Sequence, residues 1–274
     1  MSLCLTSALA LAGLAGTAYA VGLERRWIQV TRCDVPLPDL PAELDGFTIA
    51  HLSDIHYGPM MLPGLIERAV ARVNALQPDL VALTGDFVDG KASEVEPAAR
   101  LLGGLRARHG VWAVLGGHDI TASERVACRA YPENGIRLLR NAAAPLIESD
   151  PPFWIAGVRD NSEYYLDRLK AALSGVPERA RILLLAHSPD IIPEAREAGI
   201  DLVLSGHTHG GQICAPLYGA ILTETRLGRP VARGLNRFGN TWIYTCRGLG
   251  VVRLPARFLC RPEIALLRLV RASR

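Results

Sequence analysis

The sequence predicts an α/β layered fold, and two observations carry that prediction. Short apolar runs recur along the chain: FTIAHLSD (47–54), DLVALTGD (79–86), GVWAVLGG (110–117), FWIAGV (153–158), ARILLLAH (180–187) and DLVLSGH (201–207). Amphipathic stretches near 62–77, 94–108, 121–131, 162–174 and 190–198 separate them. Continuous apolar runs of strand length mark strands buried on both faces, and helices between such strands mark layers packed against a largely parallel sheet.

Taken in order, residues 1–23 contain no charged side chain. As a helix they would reach roughly 34 Å at ~1.5 Å per residue, enough to cross a bilayer. Ala18-Tyr19-Ala20 has the small-x-small form of a cleavage site, so a cleaved signal segment is one reading, and a buried helix of the globular domain is another. No Lys or Arg precedes the apolar run, which favours a single-pass anchor. Arg25 and Arg26 follow it, and the positive-inside rule then places the rest of the chain on the cytoplasmic side of the cell (inner) membrane. Residues 24–46 read as a connector with one leading strand (Trp27 to Val30) and a proline-rich turn at Pro36–Pro41. One domain spans 47–270. Past residue 210 the helical pattern fades, and strand-like pieces at 241–246 and 263–270 predict a closing β segment.

A chain of 274 residues with 49% hydrophobic and 21% charged residues buries a sizeable core and is not a disordered segment. A net charge of +3 gives no electrostatic footprint for a nucleic-acid partner. Arg257, Arg261, Arg268, Arg271 and Arg274 crowd the C-terminus and read as a solvated basic face. The six cysteines show no CxxC or Cys–His ligand spacing and read as small buried hydrophobes.

The chemistry sits at the carboxyl ends of the runs. Asp54 and His56 follow the first, Asp86 ends the second, and His118 and Asp119 follow the third. His187 ends the fifth, and His207 and His209 follow the sixth. Ligands of α/β sheets bind at the carboxyl ends of strands, so these residues converge on one edge. Of seven histidines only His51 and His109 fall elsewhere, which argues against chance placement of loop polar groups. Gly85, Gly116 and Gly206 allow sharp turns beside them. Imidazole nitrogen and carboxylate oxygen together suit borderline divalent ions, and a pair of ions ~3.5–4 Å apart clamps a phosphoryl group and acidifies a bound water. No Ser, Cys or Thr nucleophile motif appears, so attack by metal-bound hydroxide is the expected mechanism.

The motifs D-x-H (54–56), G-D (85–86), G-x-H-D (116–119), H (187) and G-H-x-H (206–209) occur in this order. The string resembles the calcineurin-like metallophosphoesterase superfamily over about 47–270. GHTHGGQI (206–213), RGLG (247–250) and RPEI (261–264) resemble its bacterial membrane-associated branch, which includes UDP-2,3-diacylglucosamine pyrophosphatases of lipid A synthesis. The resemblance implies a β-sheet sandwich flanked by helices and a site for two divalent ions such as Mn, Zn or Fe. It implies that Asp54, His56 and His209 hold the first ion, that Asp86 bridges, and that His187 and His207 hold the second. It further implies that His118 contacts the phosphate and protonates the leaving group, with Asp119 orienting its ring. One position departs from the family pattern: Gly117 stands where an Asn oxygen would bind the second ion. Weaker occupancy of that site is expected, and Gly117→Asn is expected to tighten it.

The leading expectation is hydrolysis of a phosphoester or pyrophosphate bond, with a lipid-linked nucleotide such as UDP-2,3-diacylglucosamine as substrate. A phosphodiesterase or nucleotidase acting on soluble substrates is one alternative. A degenerate, non-catalytic membrane protein that binds metal is another, suggested by Gly117. Tyr57, Met60 and Met61 read either as an apolar entry or as ordinary packing. Arg159, Asp160 and Asn161 end the FWIAGV run on the same edge, as head-group contacts or as a plain turn.

Overall fold

The computed structural model describes residues 13–160 and 165–272, together with Ser7 and Leu11. Residues 1–6, 8–10 and 12 of the predicted anchor (1–23), Asn161 and Arg274 therefore lie outside the described residues. Among the described residues no helix is long and apolar enough to cross a membrane.

The strands and helices follow in order. They are β1 (Gln29–Pro38), β2 (Thr48–Leu52), α1 (Leu65–Leu76), β3 (Leu80–Leu83), α2 (Ala92–Leu102), β4 (Val111–Ala113) and α3 (Gly117–Glu133, kinked at Ser123). Next come β5 (Ile136–Leu138), β6 (Ala142–Ile147), β7 (Phe153–Gly157), α4 (Tyr165–Ala172), β8 (Arg181–Leu185), α5 (Ile192–Glu197) and β9 (Leu202–Ser205). A small hairpin β10 (Cys214–Ala215) and β11 (Gly219–Ala220) precedes β12 (Gly234–Phe238), β13 (Thr241–Thr245) and β14 (Glu263–Ala272). Two six-stranded sheets result, ordered β1-β14-β2-β3-β4-β5 and β12-β13-β9-β8-β7-β6. The central pairs β2–β3, β3–β4, β7–β8, β8–β9 and β9–β13 are parallel, and β6 and β12 close the second sheet antiparallel.

Period-two side-chain alternation explains the layers. Ile49, Leu80, Ala82, Leu183, Leu185, Leu202 and Leu204 point between the sheets and form one core. Their neighbours Ala50, Leu52, Val81 and Leu83 face α1, α2 and α3, while Ile182, Leu184 and Val203 face α4 and α5. Both faces of each central strand are thus buried, which is why the runs read as unbroken apolar strings. The outcome is the expected sandwich flanked by helices.

Residues 24–46 are part of this packing. β1 runs parallel to β14 over ten register pairs and continues to Pro38, eight residues past the predicted Val30 end. Val35, Leu37, Leu40 and Leu44 enter the inter-sheet core. Arg25 is buried and donates to the Pro255 and Met60 carbonyls at 2.7 and 2.5 Å, so it is committed to the fold. The basic C-terminal face also needs correction. Arg257 is fully buried and donates to the carbonyls of Gly250, Cys260 and Arg247, holding the 247–260 loop together. Tyr57 and Met61 pack against the helix-side core.

Candidate metal centre

The two sheets meet along one edge, and the carboxyl ends of both sets of parallel strands open there. β2, β3 and β4 deliver Asp54, His56, Asp86 and His118, while β8 and β9 deliver His187, His207 and His209. Asp54, His56, Asp86, His207 and His209 all hold positive φ, between 49° and 69°. Left-handed backbone is unfavourable for non-glycine residues and is kept where surrounding structure over-determines it, commonly at functional sites. Gly85 makes its turn at φ +90°, and a Cβ on Gly206 would collide with Ser53 Oγ and the Asp54 carboxylate.

Six of the predicted residues form two adjoining donor groups, Asp54–His56–His209 and Asp86–His187–His207, each with ligand atoms within 4.8 Å of one another. In the first, His56 Nε2 lies 3.1 Å from His209 Nε2, which lies 3.4 Å from Asp54 Oδ1. In the second, His187 Nε2 lies 3.2 Å from both Asp86 Oδ2 and His207 Nδ1. Asp86 Oδ2 is also 3.7 Å from His56 Nε2, so one carboxylate faces both groups. The His118 backbone N–H donates to Asp86 Oδ1 at 2.9 Å, fixing which oxygen turns inward. The His207 N–H donates to the Asp54 carboxylate at 3.0 Å. His187 Nδ1–H donates to the Thr84 carbonyl at 2.7 Å, which leaves Nε2 as the lone-pair nitrogen.

The electrostatics are those of a cation site. Burial alone would raise the Asp86 carboxyl, but His187, His56 and His118 outweigh it and hold the group well below the usual carboxylate range. Burial would lower His187, yet Asp86 and its neighbours raise it well above the usual imidazole value. His209 is pushed well down by burial and by His56, and His207 is lowered by burial and by His187. Buried carboxylates facing nitrogen lone pairs, with ligand atoms within a few ångströms of one another, fit divalent ions of borderline softness.

His118 is half-buried, with its ring edge-on to His56 at 4.8 Å. Its Nδ1–H donates to the Asp89 carbonyl at 2.7 Å, which leaves Nε2 uncommitted by that bond. Asp119 does not orient that ring, which corrects the role the resemblance implied. It is fully buried, accepting from the N–H groups of Phe87 (2.9 Å), Val88 (3.2 Å) and Gly116 (3.0 Å). It therefore ties the loop after Asp86 to the start of α3, and burial followed by Asp86 raises its carboxyl to about 7. The residue that does address the histidines was missed. Asp89 places its carboxylate 3.6 Å from His56 Nδ1 as well as its carbonyl on His118. Its signal was a second aspartate three residues past Asp86.

Behind the first group, Leu249 N–H and Gly250 N–H donate to the carbonyls of Ser53 (3.1 Å) and Asp54 (2.7 Å). That loop is anchored by Arg247, whose guanidinium lies 2.7 Å from Glu263 Oε1. The RGLG and RPEI strings thus act as a brace for Asp54. Beside His209 runs a mainly apolar groove of about 190 Å³ lined by Ile213, Ile221, Leu222, Val252 and Leu254.

A family model for calcineurin-like phosphoesterases matches residues 47–211. YkuE, an uncharacterized metallophosphoesterase of Bacillus subtilis (strain 168), is 33% identical over 262 residues, covering 93% of this chain and 90% of its own. Phosphodiesterase YaeI of Escherichia coli (strain K12) is 34% identical and covers 82% of each chain. A Danio rerio protein named "Transmembrane protein with metallophosphoesterase domain" is 32% identical over 96% of this chain, which spans 61% of that protein's length. Among solved structures, TT1561 of Thermus thermophilus superposes with a TM-score of 0.51 at 16% identity, over 74% of this chain and 90% of that one, a likeness of fold. With the motif order, the two donor groups and the matched span in agreement, this chain belongs to the calcineurin-like phosphoesterase family.

Proposed function

We propose that the chain, a hydrolase of the metallophosphoesterase type that uses divalent metal, acts on an amphiphilic, membrane-borne phosphoester or pyrophosphate. UDP-2,3-diacylglucosamine is the first candidate. The observation that carries this reading is the apolar groove whose lining includes His209 itself. Around it Ile221, Leu222 and Leu254 are more than half exposed, as is Leu217 at the tip of the β10–β11 hairpin. Exposed apolar patches of this kind mark lipid, ligand or partner contacts. The apolar N-terminal segment joins the fold at the same place: Arg257 N–H donates to the Ala20 carbonyl at 3.1 Å, and Tyr19 stacks edge-on with Phe258 at 6.2 Å. An N-terminal anchor in the inner membrane would then hold groove and site against the bilayer, with the catalytic domain on the cytoplasmic face.

Two bound ions, Mn, Zn or Fe, supply positive charge for the phosphoryl oxygens and a water acidic enough to attack near neutral pH. Asp54, His56 and His209 would hold one, His187 and His207 the other, with Asp86 between them. His118 Nε2 would be the proton donor to the leaving group, its ring set by the Asp89 carbonyl. Phosphodiester hydrolysis on soluble substrates is the competing reading, favoured by the name of the Escherichia coli relative. The full chain in detergent is assayed on UDP-2,3-diacylglucosamine and on bis(p-nitrophenyl) phosphate. Turnover of the lipid substrate that falls when Leu222 and Leu254 become Ser, with the small diester unaffected, supports the lipid reading. Turnover of the small diester alone refutes it.

A further inference from the structure

We propose that Asp160, at the carboxyl end of β7, supplies an oxygen ligand to the second ion, in the place that Gly117 leaves open. The inference rests on the two-ion reading of the site and is independent of the substrate.

The second donor group has three members, and one of them, Asp86, also faces the first group. Borderline divalent ions take at least four ligands, and in catalytic zinc sites a water completes three protein donors, so a three-member group leaves a place that a water or a further side chain would fill. β7 lies next to β8 in parallel register, Gly157 opposite Leu185, and the Val158 N–H continues the ladder to the Leu185 carbonyl at 3.2 Å. The chain leaving β7 therefore runs beside Ala186 and His187. A Cβ built on Gly117 would stand 3.4 Å from Asp160 Oδ2, so the carboxylate borders the space that a side chain at 117 would enter.

The approach is held in place. Arg159 makes a two-pronged contact with Glu124 of α3, Nε to Oε1 at 3.0 Å and Nη2 to Oε2 at 2.9 Å, and its N–H donates to Asn141 Oδ1 at 2.8 Å. α3 begins at Gly117 and is kinked at Ser123, so this fork ties the chain around Asp160 to the part of α3 just beyond the kink. The Asp160 carboxylate stands outside the 4.8 Å group of Asp86, His187 and His207. Ligation needs a rotation about its side-chain torsions, for which the absent side chain at 117 leaves room.

The test titrates the chelator-stripped full chain with Mn²⁺ by calorimetry, with metal content measured by mass spectrometry. Asp160→Ala is expected to weaken the second binding event at least about tenfold, since losing even an outer partner weakens a metal site by about 10–100-fold. The first event and the thermal midpoint stay as they were. Asp160→Asn, which keeps an oxygen, loses less. Gly117→Asn adds little to the wild-type chain but restores the second event in Asp160→Ala, because the amide oxygen then replaces the carboxylate. Two ions bound with unchanged affinities in Asp160→Ala overturn the proposal, as does a wild-type chain that binds one. Two ions bound without hydrolysis of any phosphoester would instead remove the catalytic reading and leave this one standing.

Discussion

Glu263→Gln is expected to lower the thermal midpoint and to loosen the first metal group at the same time. The Glu263 side chain is almost fully buried and accepts from Thr31 Oγ1 (2.6 Å), Tyr244 OH (3.2 Å), Arg247 N–H (2.9 Å) and Arg247 Nη2 (2.7 Å). An amide of the same shape removes the charge and turns an N–H₂ toward donors. Arg247 is then left as a mostly buried cation without its counter-charge. Breaking a buried pair from one side costs about 3–5 kcal/mol. At about 2–4 °C per kcal/mol for a domain of this size, the midpoint falls by about 6–20 °C. The pH dependence has a definite sign. Burial would raise the Glu263 carboxyl, but Arg247 and Thr31 outweigh it and hold the group below its ordinary 4.5. A depressed folded value stabilises the fold above the ordinary value, and that stabilisation drains as pH falls from 4.5 through the folded value. The wild-type chain thus loses stability along this acid limb, and Glu263→Gln loses less. Circular dichroism melts from pH 3 to 7 read both effects. Because the 247–250 loop braces Ser53 and Asp54, Mn²⁺ affinity of the first group should drop with the midpoint. A variant melting within about 2 °C of wild type at pH 7, under 1 kcal/mol, would refute the reasoning.

Three further outcomes follow from the site. If Nε2 of His118 is the acid, as proposed, His118→Asn should lower kcat on the order of 10²–10⁴-fold while metal content by mass spectrometry is unchanged; lost metal would instead make His118 a ligand with His56 and Asp89. Asp119→Ala leaves three N–H groups without an acceptor at about 1–3 kcal/mol each. Relief of a buried carboxyl raised to about 7 offsets part of this, so the midpoint should fall while the pH–rate limb due to His118 stays in place; a shifted limb would return Asp119 to the ring-orienting role. Metal loading should weaken as pH falls, because Asp86 outweighs burial to favour a proton on His187 and that proton competes with the ion; equal Mn²⁺ affinity at pH 6 and pH 8 would contradict it.

Much of the site was legible because strand ends carry it. A run such as DLVALTGD announces a buried strand and, in its last residue, a group at the sheet edge. Candidate ligands whose positions come from the backbone of their own strand are legible in this way: Asp54, His56, Asp86, His187, His207 and His209. Asp89 and Asp119 were misread or missed because their roles depend on loops that meet only in the fold. Edge strands were hidden for a related reason. β12 (GLNRF) lies at the sheet margin with no fully buried position, so selection for an apolar run is absent there, while β6 (AAAPLI) is apolar but built on alanine and proline, which are depleted in strands.

Arginine burial shows the same division. Composition treats Arg25 and Arg257 as surface charge, yet each satisfies backbone carbonyls of distant loops and lies inside. The sequence by itself determined the layered α/β class, the order of the motifs and the identity of six candidate ligands, because periodicity and strand-end placement are local properties of the chain. Only the tertiary structure decided that two sheets share the edge, that Asp86 faces both donor groups, that Asp119 serves the backbone, and that Asp160 stands beside Gly117. Those facts depend on contacts between segments far apart in the chain, whose pairing is set by packing, and no local pattern encodes it.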